Sequence, residues 1–286
     1  MYLTRNPKWL EPLTYHYTKF EEVPTSVFGA INLKLNKLVS EEPVVSIVIA
    51  AWNEEVNILH CIASLANTNT TLPLEIVVVN NNSTDKTQQT LDALNVKSFF
   101  QGIQGWGPAR QMGLENARGK YILLADADCY YPEDWVNEMI KTLDQPGVVC
   151  VYGRYSFISE PGYPRWKLFL LEKMKDAIAE VRHVKRPYLN AYGISMGYLR
   201  EYGLKVGYVM HKIRGEDGRL CFDLMQYGKI KQMKVDKARV WTSPRTLQQD
   251  GTFSQALKNR LLRESKRFFT MFKAKEAHDT KTSTNN

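Results

Sequence analysis

A chain of 286 residues and 33.0 kDa, 44% of it hydrophobic, can bury one sizeable α/β core, which excludes a disordered or fibrous protein. The net charge of +8 and pI of about 9.1 raise nucleic acid, membrane surfaces and anionic substrates as partners, but the basic excess lies from Lys229 onward and the remainder is close to neutral. Cys61, Cys129, Cys150 and Cys221 are widely spaced with no C-x-x-C pair, which argues against a disulfide framework or a zinc site and for a reducing compartment.

Residues 1–42 read as an extension. An aromatic stretch through Tyr15, Tyr17 and Phe20 precedes a helix capped by Thr25 or Ser26, whose Val27, Phe28, Ile31, Leu35 and Leu38 form one docking face. Residues 44–51 are a continuous β-branched run, the pattern of a strand buried on both faces. This longest apolar run is far short of the roughly 18 residues a membrane span needs, and no basic segment leads into an apolar run at the N-terminus. The expectation is a cytoplasmic chain, neither secreted nor integral to a membrane. Helix 53–65, strand 74–79, helix 85–94, strand 96–99, helix 108–117 and strand 121–125 follow, an alternation that predicts a doubly wound, mainly parallel sheet flanked by helices. After about Gly153 the alternation weakens and Gly and Tyr become frequent. Near the C-terminus, residues 253–275 combine Ala256, Leu257, Leu261, Phe268, Phe269 and Phe272 with Lys258, Arg260, Arg263, Lys266, Arg267 and Lys273. Such a basic amphipathic helix can lie on an anionic membrane or pack on the main body with a solvated basic face; 280–286 reads as a disordered tail.

In a doubly wound sheet ligands sit beyond the carboxyl ends of the strands. Asp126-Ala127-Asp128 follows the strand 121–125, so two hard-oxygen carboxylates, on one side of an extended chain, stand where Mg²⁺ or Mn²⁺ would bridge substrate phosphates. An isolated D-x-D is also a common helix-capping turn; its place after a buried strand favours the metal. Asn53-Glu54-Glu55 and the run from Asn80 to Thr87 offer amides, hydroxyls and carboxylates that can hold a nucleoside or cap the next helix. Gly105-Trp106-Gly107-Pro108-Ala109-Arg110 enters a helix with free N–H groups and a guanidinium suited to a diphosphate. Gly215-Glu216-Asp217-Gly218 places an acidic pair at the start of a helix 219–227, either as a site that ligands approach closely or as a helix cap.

Taken in order, residues 45–55, 77–85, 107–110, 125–128 and 215–217 resemble the family 2 inverting glycosyltransferases of GT-A fold, and Gly193-Ile194-Ser195-Met196 resembles that family's acceptor-side loop. The resemblance covers roughly residues 43–245 and implies a catalytic domain there, with a nucleotide-sugar half (43–153) and an acceptor half (154–245), followed by the helix and tail of 246–286. It implies that Ala51, Asn53, Glu55 and Asn81 line the nucleoside and that Arg110 faces the diphosphate. Asp126 would reach ribose or metal, Asp128 would ligate a Mn or Mg divalent cation, Asp217 would be the general base and Glu216 would support the acceptor. The implied reaction moves a sugar from a UDP- or GDP-sugar to a hydroxyl acceptor, possible acceptors including lipid-linked glycans of surface polysaccharide or glycolipid synthesis. Asn80 and Asn81 stand where the family often has Asp, and Gln111 where it often has Asn. A Q-x-x-R-W signature is missing after Asp217, which favours single-sugar addition over polymerisation.

Three alternatives compete. A D-x-D-x-[TV] phosphotransferase would need Thr or Val where Tyr130 stands. A sugar-phosphate nucleotidyltransferase would need a glycine-rich basic loop after the first strand. A nonenzymatic nucleotide- or carbohydrate-binding module could use Tyr188, Tyr192, Tyr198, Tyr202 and Tyr208 as stacking platforms, while nucleic-acid binding rests on charge alone and is not expected. His183 and His211 have no partner at ligand spacing and read as structural; Arg245, closing the matched region, is a candidate for the diphosphate.

Overall fold

The computed structural model describes residues 2–210 and 215–270, with the side chains of 261 and 263–270 outside that description. Two 3-10 turns, Lys8–Leu13 and Phe20–Glu22, lead into α1 (Thr25–Leu38), which docks through Phe28, Ile31 and Leu35. The predicted side-chain cap is not formed. Pro24 occupies the cap position with φ −62°, and its carbonyl accepts from Val27 N at 3.0 Å; a fixed proline φ sets the entry to the helix without a hydroxyl.

The chain then alternates through β1 (Val45–Ala51), α2 (Asn57–Leu65), β2 (Leu74–Asn80), α3 (Thr87–Asp92), β3 (Lys97–Phe100), α4 (Trp106–Asn116) and β4 (Tyr121–Asp126). Periodicity placed the starts of α2 and α3 too early. Asn53 adopts a left-handed φ of 54°, and the N–H groups of Asn53, Glu54 and Glu55 donate to Ser83 Oγ, Thr87 Oγ1 and Asp85 Oδ2 at 3.0, 2.9 and 3.2 Å. Loop-to-loop hydrogen bonds thus replace the first helical turns, and an Asn tolerates the required φ better than most residues.

The remaining elements are β5 (Cys129–Tyr130), α5 (Trp135–Leu143), β6 (Val148–Tyr152), β7 (Tyr155–Phe157), α6 (Arg165–Lys185), β8 (Met196–Leu199), α7 (Arg200–Val206), α8 (Glu216–Leu224), β9 (Lys229–Gln232), β10 (Val240–Thr242), α9 (Arg245–Gln248) and α10 (Phe253–Thr270). Among the described residues, seven strands form one sheet in the order β3-β2-β1-β4-β8-β6-β9, in which only β8 runs antiparallel to its neighbours. Strand β1 lies between β2 and β4, and β1 and β2 bury every residue, as their largely β-branched runs require. A second sheet, β5-β10-β7, lies beside the carboxyl end of β4.

Helix α6 covers β7 through a buried ion pair. Glu172 accepts from both terminal nitrogens of Arg165, at 3.0 and 2.7 Å, from Ser156 Oγ at 3.0 Å and from Phe157 N at 2.8 Å. Four donors thereby satisfy a carboxylate with no solvent contact. At the start of α10, Ala256 is buried and Phe253 and Leu257 pack beside Leu168, Leu171 and Leu247, so this end docks on the body. The other predicted apolar residues of that helix, and the tail, lie outside the described side chains.

Candidate active site

Because β1, β2 and β4 are parallel, their carboxyl ends open on one side: Ala51 lies level with Asn80, and Ala50 with Asp126. The chain turns at Ala127-Asp128 before β5, so the D-x-D pair is not extended as predicted. The turn still gathers ligand atoms: one atom each of Asp126, Asp128 and Cys129 lies within 4.8 Å of the others. Facing this turn, the 193–195 loop is fixed from two sides. Tyr131 Oη donates to Ile194 O at 3.0 Å while accepting from Asp126 N at 2.8 Å, and Trp135 Nε1 donates to Ser195 Oγ at 2.9 Å. The acceptor-like loop is therefore braced against the carboxylate turn by two buried aromatic side chains.

Between them lies a cavity of about 370 Å³, lined by Glu54, Arg110, Asp126, Asp128, Glu216, Asp217 and Arg245, with aromatic walls from Trp106, Tyr155, Phe157 and Tyr192. Arg110 is its hub. Nη1 donates to Glu216 Oε1 at 2.7 Å and closely to Asp217 Oδ1, while Nη2 reaches Asp126 Oδ1 at 3.3 Å. Asp217 Oδ2 also accepts from Gly193 N at 2.7 Å. A Cβ at Gly193 would lie 1.9 Å from Arg110 Nη2, so only glycine lets the backbone approach the guanidinium. At the mouth, Arg245 Nη2 bridges Glu54 Oε1 at 2.8 Å and Asp128 Oδ2 at 2.6 Å.

Among the described residues, five carboxylates and two guanidiniums line the cavity, an acidic excess. The Asp126 carboxyl is pushed up to about 7, chiefly by burial; Arg110 works against the rise, and Asp128, Asp217 and Glu216 add to it. Burial also raises Glu216, with Asp217 adding to the shift. Burial works against the charge on Arg110, but Asp217, Asp126 and Glu216 outweigh it and hold the guanidinium protonated above its ordinary value. A surplus of hard oxygen donors with one carboxyl held from ionising is a set that a divalent Mg²⁺ or Mn²⁺ fits. Cys129 does not extend it, because burial raises its thiol well above the ordinary value and soft sulfur is a poor ligand for such ions.

Arg110, Asp126, Asp128, Glu216 and Asp217 are thus brought together from the sequence-predicted set. Arg110, however, is enclosed by carboxylates rather than turned to an open diphosphate position, because the acidic pair of α8 closes over it. Glu216 begins α8 three residues earlier than predicted, after Gly215 in a left-handed conformation of φ 93°. The acidic pair therefore occupies the first turn and bonds Arg110 across the cavity. Ala51, Asn53, Glu55 and Asn81 are not among the lining residues. Asn53 Oδ1 accepts from Thr84 N at 2.8 Å, Glu55 N is held by Asp85, and Asn81 Oδ1 accepts from Gly105 N at 3.0 Å, so these groups stitch the strand-end loops together. Glu54 enters the cavity instead of Glu55; no spacing rule separates two adjacent carboxylates, and the left-handed turn at Asn53 belongs to the loop packing. Tyr131 and Trp135 carried no motif, their only signal being large aromatics just after the D-x-D turn. His183 Nδ1 pairs with Tyr152 Oη at 2.7 Å, a structural role; His211 lies outside the described residues.

A mainly parallel sheet whose β4 ends in an acidic pair over such a cavity is the GT-A architecture. The model of the family Glycosyl transferase family 2 matches residues 46–203, more than half of the chain, and the chain belongs to that family. EpsH of Bacillus subtilis (strain 168) is 33% identical over 119 residues, covering 39% of this chain and 34% of that protein. Matches to the first curated relatives span 34% to 50% of their length. Among solved structures, a mannosyltransferase of Pyrobaculum calidifontis, PcManGT, in complex with GDP-Man and Mn²⁺, superposes with a TM-score of 0.53 at 17% identity, over 83% of this chain and 73% of that one. S. aureus TarS in complex with UDP gives 0.54 at 19% identity, over 70% and 60%. At such identities these structures show a shared fold.

Proposed function

We propose that the chain transfers a single sugar from a nucleotide-diphosphate donor to a hydroxyl acceptor with inversion, with the help of Mn²⁺ or Mg²⁺. The observation that carries this is the cavity itself: Asp126 and Asp128 on one wall, Glu216 and Asp217 on the other, one guanidinium between them. The GDP-Man and Mn²⁺ bound by PcManGT and the UDP bound by TarS support the donor class and the cation.

Asp128 and Asp126 would hold the cation, which when bound neutralises charge developing on the departing nucleoside diphosphate. Arg245, at the mouth on Asp128 and Glu54, is placed to exchange those carboxylates for the diphosphate. On the opposite wall, Asp217 uses one acceptor position of each oxygen, towards Arg110 and Gly193, and each oxygen keeps a further lone pair for an acceptor hydroxyl. As the acceptor oxygen bonds the anomeric carbon and the carbon–diphosphate oxygen bond breaks, that hydroxyl proton passes to Asp217. Glu216 fixes Arg110 and thereby the position of Asp217. Tyr155 and Tyr192, edge to face with centroids 6.4 Å apart, supply flat walls suited to a sugar ring.

A screen of UDP- and GDP-sugars with Mn²⁺ or Mg²⁺, following nucleoside diphosphate release with and without hydroxyl acceptors, tests the proposal. Metal-dependent release from one donor class supports it. Pyrophosphate release from a nucleoside triphosphate and a sugar phosphate would make the chain a nucleotidyltransferase instead.

A further inference from the structure

Helix α6 carries an apolar stripe on the side away from the body. Trp166, Leu170, Lys173, Ala177, Val181 and Val184 are all exposed. At 100° per residue they fall within an arc of about 80° and run for about 27 Å along the helix. The apolar members with large side chains are strongly exposed: Trp166 at 51%, Leu170 at 58%, Val181 at 53% and Val184 at 81%. A single exposed leucine needs no explanation, but a contiguous stripe of this kind marks a contact surface.

The charges around the stripe say what it contacts. All three acidic residues of α6 are occupied elsewhere: Glu172 by Arg165, Asp176 by Arg239 at 2.5 Å, and Glu180, at the flank, by Arg154 and by Lys234 at 2.5 Å. Of the lysines of α6, Lys173 lies within the stripe and Lys167 at its flank. Lys173 Nζ sits 5.7 Å from the Phe169 ring centroid and Lys167 Nζ 5.5 Å from that of Trp166, with long apolar stems able to lie along the stripe. Aromatic and aliphatic groups on one line with cations beside them, and no unpaired carboxylate on the helix, complement a surface that is apolar beneath and anionic above.

We infer that the outward face of α6 is a docking surface for an anionic lipid bilayer. Its place in the fold gives the contact a purpose. The inner face of α6 packs on β7, whose Tyr155 and Phe157 line the cavity, through Glu172 on Phe157 N and Lys175 Nζ on Tyr155 O at 3.0 Å. One helix and one strand therefore separate the bilayer contact from the acceptor wall, so a lipid-linked hydroxyl acceptor would be presented beside the catalytic carboxylates. The purpose rests on the proposed transferase reaction; the docking does not, and the donor screen and the vesicle assay fail independently.

The test is co-sedimentation of the full chain with vesicles of phosphatidylcholine alone and with about 30% phosphatidylglycerol, at low salt. The wild-type chain is expected to partition at least about tenfold more strongly onto the anionic vesicles. Leu170→Glu with Val184→Glu should lower that partition by more than about tenfold, and each of Lys167→Gln and Lys173→Gln by about fivefold on anionic vesicles only. These side chains lie on the surface, so circular dichroism and melting should be unchanged; Trp166→Gln is the check should the double variant fail to fold. Wild-type chain left in the supernatant with anionic vesicles overturns the inference, as does a Leu170→Glu, Val184→Glu chain that pellets like wild type. A self-association seen by light scattering and abolished by the same variant would make this face a contact between copies and would equally overturn it.

Discussion

Residues 45–126 and residues 148–242 are held together by different physics. In the first region β1 and β2 bury all their residues and pair in unbroken register, from Val45 with Leu74 to Ala51 with Asn80, mainly by aliphatic packing, with one buried carboxylate, Glu75, held by Ser46 and Lys97. In the second the strands have three to five residues each, and ionic contacts supplement the apolar packing that holds the elements together: Arg165 with Glu172, Arg239 with Asp176, Arg110 with Asp217. A hydrophobic strand tolerates local repacking, whereas a buried ion pair is stable only while both partners remain, because removing one leaves a charge without water or counter-charge. The proposed chemistry straddles this boundary, with Asp126 and Asp128 at the end of the aliphatic region and Glu216 and Asp217 in the ionic one.

The largest expected effect is at the boundary. Asp128→Asn should reduce metal-dependent transfer by on the order of 10³-fold, because the cation supplies several kcal/mol of leaving-group stabilisation. It should weaken donor binding while leaving the circular dichroism spectrum intact. Near-normal turnover with metal dependence retained would take the cation away from this residue.

Next is the contrast in packing. Glu172→Gln should cost about 3–5 kcal/mol of stability by leaving Arg165 uncompensated, whereas Ile47→Val in β1 should cost only about 0.5–1.5 kcal/mol. Urea unfolding of both variants measures the difference. Equal losses would mean that the two regions are not distinguished in this way.

Asp217→Asn should lower transfer by about 10²-fold with donor and metal binding kept, since a base acts on the acceptor and the cation on the donor. Calorimetric donor titration beside transfer rates separates it from Asp128→Asn. If Glu216→Gln loses transfer and Asp217→Asn does not, the base is the other carboxylate. If both retain it, the pair serves only Arg110 and the start of α8.

The smallest effect is the dependence on pH. Burial raises Asp126 from 3.8 to about 7, so below that pH a proton occupies the site a cation would use. Apparent Mn²⁺ affinity should therefore rise with pH between roughly 5 and 7, by at most about tenfold per unit for this one proton, and level off above. The sign for the metal-free chain is opposite. Its folded state binds the extra proton, so this group makes the fold less stable as pH rises from 3.8 towards 7. Calorimetric Mn²⁺ titration and melting across that range check both; a flat affinity profile would place the cation away from Asp126.

How much of this was legible from sequence follows from the same division. The strands of the first region were legible because a buried parallel strand reads as a nearly continuous apolar run, broken inside β1 and β2 by Ser46 and Glu75, which bond each other, and Asp126 and Asp128 because they stand at and just beyond the carboxyl end of such a strand. The acidic pair of α8 was legible through its flanking glycines, although the helix begins three residues earlier than periodicity gave. Tertiary structure alone decided the partners. Arg110 lies 106 residues from Glu216, Glu172 meets β7 across a turn of the chain, and Arg245 reaches Glu54 over 191 positions. A charge in sequence carries no mark of the counter-charge that will neutralise it, whereas an apolar period states at once which face will be buried. Packing likewise chose Glu54 over Glu55, since a left-handed turn at Asn53 becomes favourable only when Ser83 and Thr84 are there to bond it.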